Sequence, residues 1–282
     1  MLLVALALIV VLFWPAFGFA AHKWDTDPNY GHGFFVPIAA GYLVWRRRAA
    51  IRSQVPRGSV AGLAFVIPAV LLHIMAQNAG LNRFSLVAFD AALAGTVVVF
   101  FGWGMLRQVA FPLAFLLSAV PIPLYLESAT LPMKLMASTI AVYILRALGM
   151  TIYLEGVIIH LSNTTLEVAT ACSGLRSLVL VCTVGAFYAY TSQQSLPRRL
   201  AVFCASIPIA LGANVIRIIA TAALSNVADT ETLRKFIHDF SGVFVFIIAG
   251  ALFVGIGLIV DRIADSRLFR KPDAALAQGE AS

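Results

Sequence analysis

The sequence predicts an all-α membrane protein built as a polytopic bundle of helices. Of its 282 residues, 61% are hydrophobic and only 12% are charged, and the mean hydropathy is +0.92. Ordinary water-soluble domains carry about 25% charged residues. The apolar residues are also grouped in runs long enough to cross a bilayer. A chain of this composition would be insoluble in water, so the soluble classes are excluded.

The chain is predicted to form one transmembrane domain over residues 1–262, followed by a disordered cytoplasmic tail over residues 263–282. No polar linker and no low-complexity stretch divides it. Residues 1–21 have no basic segment before the apolar run, and no polar mature domain follows them. We therefore interpret them as a first spanning helix rather than a cleaved signal peptide.

The net charge of +7 indicates a membrane surface rather than a nucleic acid as the partner. The basic residues occur in short clusters beside apolar runs, which is the pattern expected for the cytoplasmic loops of a membrane protein. We predict the lipid bilayer as a partner and no nucleic acid.

Nine apolar segments are candidates for spanning helices, each bounded by charge, proline or glycine. They are residues 2–21, 33–45, 59–79, 85–106, 109–126, 131–149, 173–191, 198–224 and 240–260. Two of them are atypical. Segment 33–45 is short for a span, and segment 131–149 carries Lys134 and Arg146.

The arginine clusters set the topology, because Arg46 to Arg57, Arg198 with Arg199, and Arg262 to Lys271 should all be cytoplasmic. Nine crossings would put the first two clusters on opposite sides. We therefore expect about eight crossings, with both termini inside and segment 131–149 interfacial or re-entrant. Residues 21–32, 151–172 and 227–239 then face outward.

Residues 151–168 have the composition of a small β-hairpin. Branched and aromatic residues flank the turn signals Glu155-Gly156 and Ser162-Asn163. The hairpin is expected to face outward and to lead the chain onto Cys172.

Cys172 has the setting of a nucleophile. It stands in Thr170-Ala171-Cys172-Ser173-Gly174, immediately before an apolar run. The first turn of a helix presents free N–H groups and the positive end of the dipole, which favour a thiolate. Cysteine is also common as a small hydrophobe in membrane helices, and Cys182 and Cys204 are interpreted in that way.

Three polar residues are candidates to accompany the cysteine. Arg176 lies four residues after Cys172 and shares its helix face. Arg217 lies within an apolar run, where an arginine costs at least about 2.5–3.5 kcal/mol unless it reaches the interface. Asn214 precedes Arg217 by three residues and shares its face.

His238 lies at the outer end of the last predicted helix, where an imidazole would exchange protons with a substrate. An interfacial histidine is also often only solvated. Cys172, Arg217 and His238 are all predicted to lie toward the outer leaflet of the membrane, which favours a shared site. Three cysteines with no CxxC pair and no histidine at ligand spacing argue against a zinc site. We expect no metal and no cofactor.

These residues resemble blocks of the exosortase/archaeosortase family. Val168 to Ser177 resembles its cysteine motif, Ala213 to Arg217 its arginine motif, and His238 with Gly242 its histidine block. Tyr30 to Pro37, followed by Trp45-Arg46-Arg47-Arg48, resembles the N-terminal signature of the bacterial branch.

The resemblance implies a membrane-embedded cysteine transpeptidase in the inner (plasma) membrane of a bacterium, with its active site facing the periplasm or exterior. Its partners would be C-terminal transmembrane sorting signals of exported proteins, of the PEP-CTERM type, and an amine acceptor. Cys172, Arg217 and His238 would be catalytic through a thioester acyl-enzyme, with Arg176 and Asn214 in support. Water in place of the acceptor would make the protein a protease.

A competing interpretation is a non-enzymatic membrane component of exopolysaccharide or lipid-linked export. Arg176, Asn214 and Arg217 would then line a polar path through the bundle.

Overall fold

A computed structural model of the chain describes residues 1–27, 29–121, 131–161, 165–167, 174–192, 195–227 and 249–262. The chain divides into two compact units, Met1–Leu131 and Pro132–Ser282. Most of the described residues are α-helical, which confirms the predicted all-α class. The single transmembrane domain over residues 1–262 stays a prediction, and the tail over residues 263–282 lies outside the described residues.

The first unit consists of helices joined by short turns. Its α-helices are α1 Leu2–Leu12, α2 Trp14–Thr26, α3 Phe35–Arg46, α4 Arg48–Arg52, α5 Leu63–Asn78, α6 Asn82–Phe101 and α7 Trp103–Leu116. Short 3-10 segments lie at Gly31–Phe34, Val60–Gly62 and Leu117–Ala119.

The second unit combines helices with a small sheet. Its elements are α8 Leu131–Ala147, β1 Tyr153–Glu155, β2 Ile158–His160, β3 Thr165–Glu167, α9 Gly174–Ser192, α10 Leu196–Cys204, α11 Ser206–Val227 and α12 over residues 249–262.

Three helical segments of the described residues are long and apolar enough to cross a bilayer: Val60–Asn78, Asn82–Phe101 and Leu196–Leu224. A fourth arises if α1 and α2, which bend by 57° at their junction, form one broken span. The apolar segments Trp103–Ala119 and Leu178–Ser192 are shorter. The three long segments correspond to the predicted spans 59–79, 85–106 and 198–224. The predicted total of about eight crossings is not confirmed.

Gly102 separates α6 from α7, whereas the sequence predicted the break a few residues later, between segments 85–106 and 109–126. Its φ of 85° lies in the left-handed region that glycine adopts without strain, so α6 ends there and α7 starts at Trp103. The loop that follows the arginine cluster Arg46 to Arg57 packs against this turn. The Arg57 amide donates to the Phe101 carbonyl at 3.1 Å, and the Ser59 amide donates to the Val98 carbonyl at 3.0 Å.

Helix α6 packs closely against the start of α5 because glycines lie at the contact. A Cβ on Gly62 would meet the Gly95 carbonyl, and a Cβ on Gly95 would meet the Val66 side chain. Membrane helices associate through such close backbone approaches, because lipid provides no hydrophobic force between them.

The N-terminal signature forms a clasp between α2 and the end of α7. The Trp24 indole Nε1 donates to the Ala119 carbonyl at 2.9 Å, and His32 Nε2 lies 3.1 Å from the Ser118 carbonyl. Gly33 is buried against the face of the Trp24 ring. In this chain the signature therefore joins secondary-structure elements of the first unit.

The predicted hairpin is present and is extended by a third strand. β1, β2 and β3 form an antiparallel meander in which Glu155 pairs with Ile158 and Ile159 pairs with Leu166. Gly156 makes the first turn with a φ of 61°. The outward orientation of this sheet stays a prediction.

The sheet packs on α8 and α11 through one apolar cluster. The cluster includes Ile152 and Ile159 from the sheet, Ala141 and Leu145 from α8, and Ile218 from α11. The Arg146 guanidinium lies at the end of α8 and donates from Nε and Nη2 to the Ile152 carbonyl, at 3.2 and 3.1 Å. This charge therefore holds the sheet to α8. The interfacial or re-entrant placement of segment 131–149 stays a prediction.

We expect Gly33→Ala to destabilise the first unit, because the added Cβ would overlap the Trp24 indole. The indole is held by its hydrogen bond to Ala119, so the overlap should cost about 1–3 kcal/mol. Thermal unfolding of the purified protein in detergent measures the change. Gly31→Ala is the matched control, because its Cβ would meet only the Trp24 carbonyl at 3.8 Å. Equal melting temperatures for the two variants would contradict the clasp.

We expect acidification to weaken the same clasp. Burial lowers the pKa of His32 below 6.5, and hydrogen bonds to the Ser118 and Asn29 backbone only partly oppose this. The unfolded chain therefore takes up the proton first as pH falls below 6.5, and the folded state loses stability. Melting temperatures at pH 7.5 and 5.5 should differ more for the wild type than for His32→Gln. His22→Gln, at an exposed position of α2, should keep the wild-type difference.

Candidate functional site

A polar face runs along α11 inside the second unit. Asn214, Arg217 and Thr221 are spaced three and four residues apart, so they lie on one side of the helix. Their exposed fractions are 4%, 6% and 5%. The Arg217 side chain is therefore covered by protein rather than extended along the surface of the unit.

Apolar packing borders this face on two sides. Val215, Ile218 and Ala222 of α11 belong to the cluster shared with the sheet and α8. Ile209 and Ala210 belong to a second cluster shared with α9 and α12. A guanidinium inside such packing costs at least about 2.5–3.5 kcal/mol, so its retention needs a compensating role.

Asn214 adds a hydrogen-bond acceptor to the polar face of α11. Its Oδ1 is buried and receives no hydrogen bond from the described part of the chain. A buried acceptor left unpaired costs about 1–3 kcal/mol. The atom lies one helical turn from Arg217, so the two side chains place an acceptor and a cation close together.

Helix α9 packs along α11. Because only residues 193–195 connect α9 to the continuous helical segment Leu196–Leu224, we infer that α9 and α11 run in opposite directions. They approach each other closely at Gly185, where a Cβ would overlap the Ser206 hydroxyl. Gly185 is thus level with Ser206. Gly174 precedes Gly185 by eleven residues, and Arg217 follows Ser206 by eleven residues. At 1.5 Å per residue both intervals are about 16 Å, so the first turn of α9 is level with Arg217.

The predicted site residues are thus partly located. Arg217 and Asn214 are brought together on α11, and the backbone of Arg176 lies in the first turn of α9. The Arg176 side chain, Cys172 and His238 lie outside the described residues. Thr221 is a polar residue of the face that the sequence analysis missed. Its position four residues after Arg217 indicates the same helix face, so the sequence alone could have identified it.

The structure also describes the other two cysteines. Cys182 is a half-buried free thiol on α9, and Cys204 is an exposed free thiol at the end of α10. Within the described ranges, no group of three or more His, Cys, Asp or Glu residues could hold a metal ion.

Two predicted cytoplasmic segments meet at one end of the second unit. Arg198 Nη1 of α10 lies 3.5 Å from Asp261 Oδ1 of α12. The Arg198-Arg199 cluster and the start of the basic C-terminal cluster at Arg262 therefore lie at the same end, opposite to the first turn of α9.

Comparison with known proteins identifies the family. The family model for transmembrane exosortases matches residues 24–255. This range contains both the clasp of the first unit and the polar face of α11. No curated protein and no solved structure matches the chain significantly. Because the family model covers well over half of the sequence, the chain belongs to the transmembrane exosortases, a family of membrane protein-sorting transpeptidases.

Proposed function

We propose that this exosortase cleaves C-terminal sorting signals of the PEP-CTERM type from exported proteins and transfers the new carboxyl end to an amine. The nucleophile is Cys172, Arg217 stabilises the oxyanion, and His238 is the general acid and base. Arg176 and Asn214 support them. The enzyme acts in the inner membrane of a bacterium, with the site facing the periplasm or exterior.

The observation that carries this proposal is the register of α9 against α11. Cys172 stands two residues before Gly174, and two residues span at most about 7 Å. The first turn of α9, which follows Cys172 in sequence, is thus level with Arg217. This register supports the proposal that the thiolate and the guanidinium act on the same substrate bond.

Both elements that flank Cys172 in sequence also pack against the helix that carries Arg217. Leu166 of β3 contacts the apolar cluster of α8 and α11, and α9 lies along α11. The described elements on both sides of residues 168–173 in sequence therefore lie against α11. This supports the proposal of a nucleophile in that part of the sequence, because reacting groups must be positioned before the substrate binds.

The start of α9 also suits a thiolate. The free N–H groups and the positive end of the helix dipole stabilise a negative charge there. Arg176, in the first turn of α9, adds a formal positive charge to the same end. Both effects would favour the thiolate form of a cysteine at this end of α9.

The reaction proceeds in two acyl transfers. The Cys172 thiolate attacks the scissile carbonyl carbon, and the charge that develops on the oxygen is stabilised by Arg217. The carbon–nitrogen bond breaks, the leaving amine takes a proton from His238, and a thioester remains. The acceptor amine then attacks the thioester, His238 takes its proton, and the Cys172 thiolate leaves as the new amide forms.

Asn214 has a different role from Arg217, because Oδ1 accepts hydrogen bonds. Its unpaired acceptor lies one turn from the guanidinium. A backbone N–H of the substrate would satisfy it and align the peptide beside Arg217. The pair would thereby bind the two ends of a peptide unit.

The polar face of α11 also fits a non-enzymatic export component, in which Asn214, Arg217 and Thr221 line a path for polar cargo. Such a component would have no need for a thiolate at residue 172. Substitution of that cysteine therefore separates the two functions.

We expect both Cys172→Ser and Cys172→Ala to abolish processing of a tagged protein that ends in a Pro-Glu-Pro-like motif, a transmembrane helix and a basic cluster. Serine lacks the thiolate that the start of α9 would stabilise, and alanine lacks any nucleophile. Immunoblotting of cells that express the full chain follows the shift in substrate size. Cys182→Ser and Cys204→Ser are matched controls and should process normally. Undiminished processing by Cys172→Ser would contradict the proposal and favour the export component.

We expect Arg217→Lys to lower the processing rate about 10²–10³-fold while the protein still folds. Lysine keeps the charge but not the planar set of donors, and loss of one such donor typically costs that factor. The initial rate of substrate cleavage in membranes, normalised to the amount of enzyme, measures the effect. Arg198→Lys, at the opposite end of the unit, is the control and should remain near the wild-type rate. A tenfold or smaller loss in Arg217→Lys would exclude the oxyanion role.

A further inference from the structure

The first unit contains a cavity that the proposed chemistry does not use. It lies between α2, α3, α6 and α7 and has a volume of about 580 Å³. Small-molecule sites typically have about 300–1,000 Å³. Its walls are largely apolar and include Phe17, Trp24, Pro37 and Leu113.

Among the described residues that line the cavity, Asp90 is the only charged one. It follows the first residue of α6 by eight positions, or about 12 Å along a helix of about 30 Å. The carboxyl group therefore lies well within a spanning segment rather than at its end. Asp90 Oδ1 is buried, and no hydrogen bond from the described residues reaches it.

A carboxylate in such a place is costly unless a cation or a hydrogen-bond donor pairs with it. No lysine, arginine or histidine is among the described residues that line the cavity. The described lining thus provides apolar walls and one hydrogen-bond acceptor, Asp90 Oδ1, that no described residue satisfies. A ligand that complements both features needs an apolar body and one donor group with positive charge.

We propose that this cavity binds an amphiphilic amine, a molecule with one cationic nitrogen on an extended apolar body. The nitrogen pairs with the Asp90 carboxylate, and the apolar body packs against the walls. A neutral lipid chain would fill the same walls but leave the carboxylate unpaired, and a fatty acid would add a like charge. Selectivity for the amine over an alcohol of equal length therefore identifies the site.

Trp24 provides an internal reporter, because its ring lines the cavity. The full chain with Trp14, Trp45 and Trp103 replaced by phenylalanine retains Trp24 as its single tryptophan. This protein is placed in phosphatidylcholine nanodiscs and titrated with dibrominated octadecylamine or with the matching dibrominated octadecanol. Bromine quenches indole fluorescence on contact, so both titrations report occupancy next to Trp24.

The amine should quench Trp24 with an affinity at least tenfold higher than the alcohol. Asp90→Asn should abolish this difference, because the amide keeps the shape of the side chain but not its charge. Asp25→Asn, an exposed carboxyl next to Trp24 on α2, is the control and should retain the difference. Equal quenching by amine and alcohol in the wild type would overturn the proposal. Retention of amine selectivity in Asp90→Asn would overturn it as well.

A cavity-filling variant tests the location independently. Gly41 lines the cavity, and a Cβ there meets no atom within 4 Å, so Gly41→Leu should occupy the space without a clash at Cβ. It should reduce quenching by both probes. Gly18→Leu, which also has open space at Cβ but does not line the cavity, should quench like the wild type. Unchanged quenching in Gly41→Leu would place the bound amine elsewhere and contradict the site.

Discussion

The close approach of α9 to α11 at Gly185 is the contact on which the second unit depends. A side chain there would overlap the Ser206 hydroxyl and the Phe253 ring, so only glycine permits this packing. Gly257 of α12 approaches the Tyr188 hydroxyl in the same way. A shift of one residue along either helix would change the facing levels by about 1.5 Å. The depth of the first turn of α9 relative to Arg217 is therefore set by glycine packing some 16 Å away.

Asp90 in the first unit and Arg217 in the second each lie inside an otherwise apolar part of a candidate spanning segment, and the two side chains are accommodated differently. Arg217 lies within tight packing, between two apolar clusters and beside Asn214. Asp90 instead faces an open volume, and the described residues that line this volume include no lysine, arginine or histidine. Packing around Arg217 restricts its motion and suits a group that stabilises charge in a reaction. Open space beside Asp90 suits a group that binds a separate molecule.

Much of the fold follows from hydropathy, because long apolar runs must be helical in lipid. Segments 59–79 and 198–224 were predicted almost to their ends, and the sheet before Cys172 was indicated by its branched residues. The break between α6 and α7 was predicted after residue 106 and lies at Gly102, because a positive φ at a glycine is not visible in the hydropathy of an apolar run. The face of Asn214 and Arg217 was predictable from helical periodicity. Its burial was not, because that depends on which neighbours cover α11.

The parts of the chain that resemble the family serve different physical purposes. In the N-terminal signature, Gly33 admits the Trp24 ring and His32 approaches the Ser118 carbonyl, so these residues are engaged in packing within the first unit. In the arginine motif, Asn214 presents an acceptor that no described residue satisfies. Contacts that are complete within the protein explain stability, whereas an incomplete buried contact calls for a ligand. The proposed peptide chemistry accordingly draws on Asn214 in the second unit, and the proposed amine site draws on Asp90 in the cavity of the first.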